Sequence, residues 1–393
     1  MKRYLLLKNI KFYFLVSFLV LFLTHPISRD GIATYYGTFC PFFLLLWFAY
    51  IVGFEVFKLH LKSVFKNVLP FLVLILFCAF SLTYSKDINY GFAKLIGLMF
   101  YITPLIIISN YYYDEIFSKE NLYLSYLIII LGIILVLILF YLYPIEYDVP
   151  SIKKTFLFWT HTGLGNYLGF AILVNFYLLK NVEFNKKLKI AFLITLFLLF
   201  LGLMMTAKRG VLYGVILVFA LNIVFDKIDK KKRNNLYLKI FGIIIISFTL
   251  FYSFPNYFST SITRFDTLQS FSTTEYNNEY SLGPRVRAIK TVKKEFSENL
   301  IAGIGLGGFN EVGESKIYMR NPHNLFLETA VELGLIGLLI MFYILIKGFK
   351  KLFLFNKDLF VVAIFYLWLS MTGAGLSDHK ILYMLLFINI GKT

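Results

Sequence analysis

Three basic side chains stand where a mostly apolar chain gives way to polar residues: Arg209, Arg285 and His323. Guanidinium groups grip phosphate with forked N–H donors, and imidazole exchanges protons near neutral pH. Together they suit transfer chemistry on a phosphorylated substrate. Arg209 follows Lys208 in a short turn between two apolar blocks, where the pair either caps the preceding helix or forms an anion site. Arg285 opens a segment, 284–298, whose Ile289, Val292 and Phe296 recur at helical spacing. That spacing places Arg285 on the apolar face, pointing towards the protein or lipid, with Arg287, Lys290 and Lys294 on the solvated side. Arg285 then either snorkels to headgroups or aims inward at phosphate. His323 follows Pro322 at the start of a long apolar helix. The positive dipole end favours anions and a neutral imidazole there, as a general base requires; the alternative is that His323 or Asn324 only caps the helix.

Further polar groups accompany these. Glu328 and Glu332 lie one turn apart inside the apolar block that His323 opens, and Lys94 is a cation inside another. A lone charge in mid-membrane costs about 2.5–3.5 kcal/mol on insertion scales, so structural pairing is the expected role, with a contribution to the site second. Asp378 and His379 sit in a short polar segment near the end. Gly303, Gly305, Gly307 and Gly308 read as a flexible turn. No Gly-Lys-Ser/Thr follows them, which excludes a nucleotide loop, and no carboxylate cluster has metal-ligand spacing. No cofactor is expected. Cys40 and Cys78 both fall in apolar blocks and read as packing thiols.

The elements that must position these residues are membrane helices. The chain is 59% hydrophobic and 16% charged, with a mean hydropathy of +0.74. Crossing a bilayer takes about 20 apolar residues at about 1.5 Å each. About twelve such blocks are present: 10–26, 36–56, 67–84, 91–110, 122–144, 162–180, 188–206, 210–226, 238–254, 324–347, 358–373 and 379–391. The expected fold is therefore an all-α integral membrane protein with about 12 transmembrane helices. It reads as one polytopic domain over 1–393, the first apolar block being a retained helix and not a removed signal peptide. A polar insert, Pro255 to Pro322, separates the ninth and tenth spans and carries short helices. Polar–apolar alternation is absent, which argues against a β-barrel.

The net charge of +17 is distributed by topology. About 22 basic residues fall in alternate loops (2–11, 58–66, 180–189, 227–233 and 347–357 above all), against about 7 in the short loops opposite, the positive-inside pattern. Both termini are expected in the cytoplasm and the insert outside. The basic loops would meet anionic membrane lipids, not nucleic acid.

Several segments resemble the O-antigen ligase family, within a superfamily that also holds O-antigen polymerases. They are Thr206-Ala-Lys-Arg209-Gly-Val-Leu, Ser281-Leu-Gly-Pro-Arg285, Gly303-Ile-Gly-Leu-Gly-Gly-Phe309, and Pro322-His323-Asn324 through Glu332-Leu-Gly-Leu-Ile-Gly-Leu338. Gly375-Leu-Ser-Asp378 resembles the family's last outer loop; His161, Gly163 and Asn166 resemble a weaker segment. The resemblance implies a metal-independent, inverting glycosyltransferase of the bacterial inner membrane with a periplasmic active site. It would move a glycan from undecaprenyl diphosphate to a sugar hydroxyl of lipid A–core, as part of lipopolysaccharide biosynthesis. Arg209 and Arg285 would hold the diphosphate and His323 would take the hydroxyl proton. Lys208, His161, Asn324, Glu328, Asp378 and Lys94 would support them. An O-antigen polymerase and a protein O-oligosaccharyltransferase share these positions. A lipid or glycan transporter is the reading from another class, but it calls for repeats and charges through several spans.

Overall fold

The computed structural model describes residues 67–103, 106, 130, 161–206, 208–225, 230–254, 283–312, 321–373 and 375–388. Regular structure among them is entirely helical. In chain order the helices are α1 (67–81), α2 (Ile88–Ile96, continued by a wide turn to Ile102) and α3 (His161–Asn181). Next come α4 (Lys186–Met205), α5 (Arg209–Phe225), α6 (Lys230–Ser253) and α7 (Gly283–Glu298). The last are α8 (Leu325–Phe355), α9 (Lys357–Ser370) and α10 (Lys380–Phe387). Nine of the twelve apolar blocks thus coincide with described helices. The blocks 10–26, 36–56 and 122–144 lie outside the described residues, residue 130 apart; so does the stretch expected to be irregular, 259–283, except Gly283, which begins α7.

Among the described residues, four helical segments are long and apolar enough to cross a membrane: Asn67–Tyr84, Lys186–Met205, Asn234–Ser253 and Leu325–Phe355. Their outward side chains are large and apolar, for example Leu76, Phe80, Ile194, Leu198, Leu238, Phe241, Leu339 and Ile346. A soluble protein would hide such a surface; a bilayer solvates it. Helices α9 and α10, with 14 and 8 residues, fall short of that length.

The described helices form two compact units. One contains α3 to α6. Here α3 packs along α4 and α5, burying Leu168, Ala171, Ile172, Leu196, Leu199, Phe200, Val211 and Val215. Gly165 of α3 lies under the α4–α5 turn, where a Cβ would come within 2.7 Å of Lys208 Cβ. The other unit contains α1, α2 and α7 to α10. In it α8 packs against α7, α9 and α10, and a second core of Ala288, Val292, Ile304, Phe309, Val312 and Val331 joins α7 to α8.

Two expectations about this unit need correction. The face of α7 that packs is set by Ala288, Val292 and Glu295, whereas Ile289 is 52% exposed and Arg285 is exposed. The apolar count from sequence missed that Glu295 is neutralised by Lys86, whose Nζ lies 2.8 Å from its carboxylate. Nor is the glycine segment 303–308 a flexible turn. It is buried, Gly303 against α8 and Gly305 and Gly307 against residues 81–91, at φ of 71°, 86° and 82°, a region that side chains other than glycine's rarely enter.

Candidate functional site

Helix α8 starts at Leu325, and the local sequence shows why. Asn324 is its N-cap: the Asn324 Oδ1 accepts from the N–H of Phe326 (3.0 Å) and of Leu327 (3.1 Å). Asn324 Nδ2 also donates to Met371 O at 3.2 Å. The capping role therefore belongs to Asn324 and not to His323. His323, half-buried, is held at φ 51°, the one positive-φ non-glycine residue among those described. Its N–H donates to Asn321 Oδ1 at 3.1 Å, inside a buried Asn321–Pro322 corner. Left-handed backbone costs a side-chain-bearing residue roughly 1–2 kcal/mol, which tertiary packing must supply.

Arg285 reaches the same place from α7. Its Nη2 donates to Thr372 O at 3.3 Å, one residue from the carbonyl that holds Asn324. The turn after α9 therefore collects the first turn of α7, with Arg285, and the start of α8, with His323 and Asn324. Two helix N-termini and a guanidinium converge there, a combination that attracts anions.

One turn along α8 the polar interior continues. Lys94 of α2, 3% exposed, places its Nζ 2.5 Å from Glu328 Oε1 and 2.6 Å from Glu332 Oε1; both glutamates are fully buried. Structural pairing, the expected role, is what this geometry provides. The other Glu328 oxygen accepts from Leu376 N at 2.7 Å. Glu328 thereby ties α2 to the 3-10 turn Leu376–Asp378, which leads to the buried His379 at the start of α10. Removing a partner from such a cluster strands buried charge, which is strongly destabilising.

Lys208, Arg209 and His161 belong to the other unit. His161 is the first residue of α3. The Lys208 carbonyl accepts the N–H of Val211 (3.1 Å) and Leu212 (3.3 Å), so Lys208 caps α5 through its backbone and Arg209 is the first residue of α5. Arg209 Nη1 and, on α3, Asn166 Oδ1 are buried polar atoms with no hydrogen-bond partner. A buried guanidinium nitrogen left so is costly, which marks it as a place for an acceptor.

Residues 194–342 match the family model described as O-antigen ligase. That stretch is 149 of the 393 residues, and over it the chain is similar to the O-antigen ligase family. The match contains Arg209, Arg285, His323, Asn324, Glu328 and Glu332, whereas Lys94, His161 and Asp378 lie outside it. No curated protein matches the chain. With four helices long and apolar enough to cross a membrane among the described residues, the chain is a multi-pass membrane protein. Sequence reasoning missed Asn321, Met371 and Thr372, which hold His323, Asn324 and Arg285. The signals that could have found them are an Asn two residues before His323, an Asx-turn spacing, and a Thr-Gly pair closing an apolar block.

Proposed function

We propose that the protein is an O-antigen ligase. In this reading it transfers a polysaccharide from undecaprenyl diphosphate to a sugar hydroxyl of lipid A–core, at the periplasmic face of the bacterial inner membrane. His323 accepts the proton of the acceptor hydroxyl as its oxygen attacks the anomeric carbon from the face opposite the diphosphate. The bond from that carbon to the diphosphate oxygen breaks, configuration inverts, and undecaprenyl diphosphate leaves. Arg285 and Arg209 hold the diphosphate. Its charge grows as the bond breaks, so preplaced guanidinium groups stabilise the transition state more than the ground state. Lys208 adds positive charge beside Arg209. Lys94 and Glu328 fix the 376–378 turn below the base, and Asn324 fixes the helix start beside it. His161 and Asp378 are further supporting positions.

One observation carries this reading. Arg285 and the His323–Asn324 helix start, 38 residues apart and both within the family-matched stretch, are secured to the adjacent carbonyls of Thr372 and Met371 in a single turn. The buried Arg209 Nη1 supports it.

Deletion of the gene in its host tests the reaction. The expected outcome is unmodified lipid A–core with accumulation of long lipid-linked glycan. A ladder that collapses to single-repeat products would assign the chain to the polymerases instead, and an unglycosylated protein with normal lipopolysaccharide to the protein transferases.

A further inference from the structure

Helix α8 changes character at Gly334, which interrupts it with φ 64° and ψ −160°. Before the break, residues 328–333 are all buried. After it, Leu335, Ile336, Leu339, Phe342, Tyr343 and Ile346 are 39–66% exposed. Their spacing of one, three or four residues makes a single outward stripe on a helix apolar enough to cross a bilayer. At the break a non-helical strand of chain lies against α8. Leu335 N donates to Leu300 O (2.9 Å) and Ile336 N to Ile301 O (3.2 Å), while Ile304 N donates to Val331 O (3.0 Å) and Gly305 N to Glu332 O (2.9 Å).

The direction of the approach is fixed at both ends. Arg285, at the start of α7, and Asn324, before α8, meet the 371–372 turn; Leu300, just after α7, meets Leu335. Helix α7 thus runs alongside the first third of α8, from the His323 end inward. Two rulers give the depth reached. Ile336 lies 11 residues before Lys347, about 17 Å along a helix at 1.5 Å per residue. Ser81, whose hydroxyl accepts from Leu306 N at 3.1 Å, lies 14 residues after Asn67, about 21 Å along its own span. Both distances are shorter than a hydrocarbon layer of about 30 Å.

We infer that the 299–302 turn is re-entrant: it dips into the leaflet on the His323 side, with Leu300 and Ile301 among acyl chains and Lys290, Lys293 and Lys294 among lipid phosphates. Leu300 and Ile301 are 48% and 67% exposed, continuous with the outward stripe of α8. The three lysines are exposed and precede Leu300 by six to ten residues, about 9–15 Å along α7, which brings their ammonium groups to the headgroups. Irregular backbone survives at such depth only where its polar groups are satisfied within the protein. The carbonyls of the turn meet that condition: Leu300 O and Ile301 O accept from α8, and Ala302 O accepts from Tyr84 OH (2.9 Å), while farther along Leu306 O accepts from Ser85 Oγ (2.7 Å). The inference rests on the membrane character of α8 and not on the transferase reading.

Full-length protein carrying Ile301→Cys in a Cys40→Ser background, labelled with bimane and reconstituted in phosphatidylethanolamine–phosphatidylglycerol vesicles, tests it. Cys78 is buried and stays unlabelled. The label at 301 is expected to emit blue-shifted light, to be quenched by lipids spin-labelled on the acyl chain, and to resist aqueous iodide. A label at Lys294→Cys is expected to be quenched best by headgroup spin labels. Leu300→Cys repeats the measurement at an independent position. Quenching at 300 and 301 by iodide but not by acyl-chain labels would overturn the inference. So would protection from both quenchers, which would mean a protein partner covers the turn.

Discussion

At the residue scale, the division of labour between His323 and Asn324 decides what each contributes. Asn324 supplies both cap bonds and a contact to Met371, so Asn324→Ala is expected to lower stability by about 1 kcal/mol, read as thermal unfolding in detergent, and to leave measurable transfer. His323→Ala is expected to leave folding and insertion intact and to reduce transfer by about 10²–10⁴-fold, the range for losing a general base. Arg285, exposed and bound through one carbonyl, can be removed without opening the core. Arg285→Ala is therefore expected to lose far more transfer activity than Arg287→Ala, and Arg285→Lys to rescue little, because an ammonium cannot form the forked contact. Equal losses at 285 and 287 would contradict the assignment. The types and positions of these residues were legible in the sequence. The left-handed backbone at His323 was not, because it depends on the Asn321 side chain and the buried Pro322 corner and not on local propensity.

At the element scale, the buried charges of α8 set both stability and the form of the site. Lys94→Met removes the cation between Glu328 and Glu332 and is expected to destabilise the protein by about 3–5 kcal/mol, the cost of stranding buried charge. Changing both glutamates to glutamine in the same variant is expected to recover much of that loss, since no carboxylate is then left unpaired. A single substitution with no effect on unfolding would contradict the triad. That the glutamates needed a partner was legible from their depth in an apolar block; that Glu328 would also hold Leu376 N was not, because that contact spans 48 residues of chain. The helices themselves were legible because apolar blocks of bilayer length leave little alternative. The phase of α7 was misread for a definite reason. An apolar stripe predicts the packed face only when no charged residue is neutralised, and Lys86, 209 residues away, makes Glu295 a packing residue. The glycines at 303–308 were noticed, but their role depends on distant backbone: Gly303 lets the chain lie against the break at Gly334, and Gly305 and Gly307 let it lie against residues 81–91.

At the scale of the whole molecule, membrane-spanning helices, a stretch similar to the O-antigen ligase family over residues 194–342, and basic groups at helix starts occur together. The chemistry demands that a lipid-borne diphosphate, a sugar hydroxyl and a base meet at a membrane surface. Transfer by purified protein in vesicles, supplied with an undecaprenyl diphosphate glycan and either lipid A–core, a second lipid-linked repeat or a peptide, tests this most directly. Wild-type protein is predicted to glycosylate lipid A–core without added metal, and His323→Ala, Arg285→Ala and Arg209→Ala, inserted at wild-type levels, to fail with every acceptor. Full transfer by the His323→Ala variant would contradict the account.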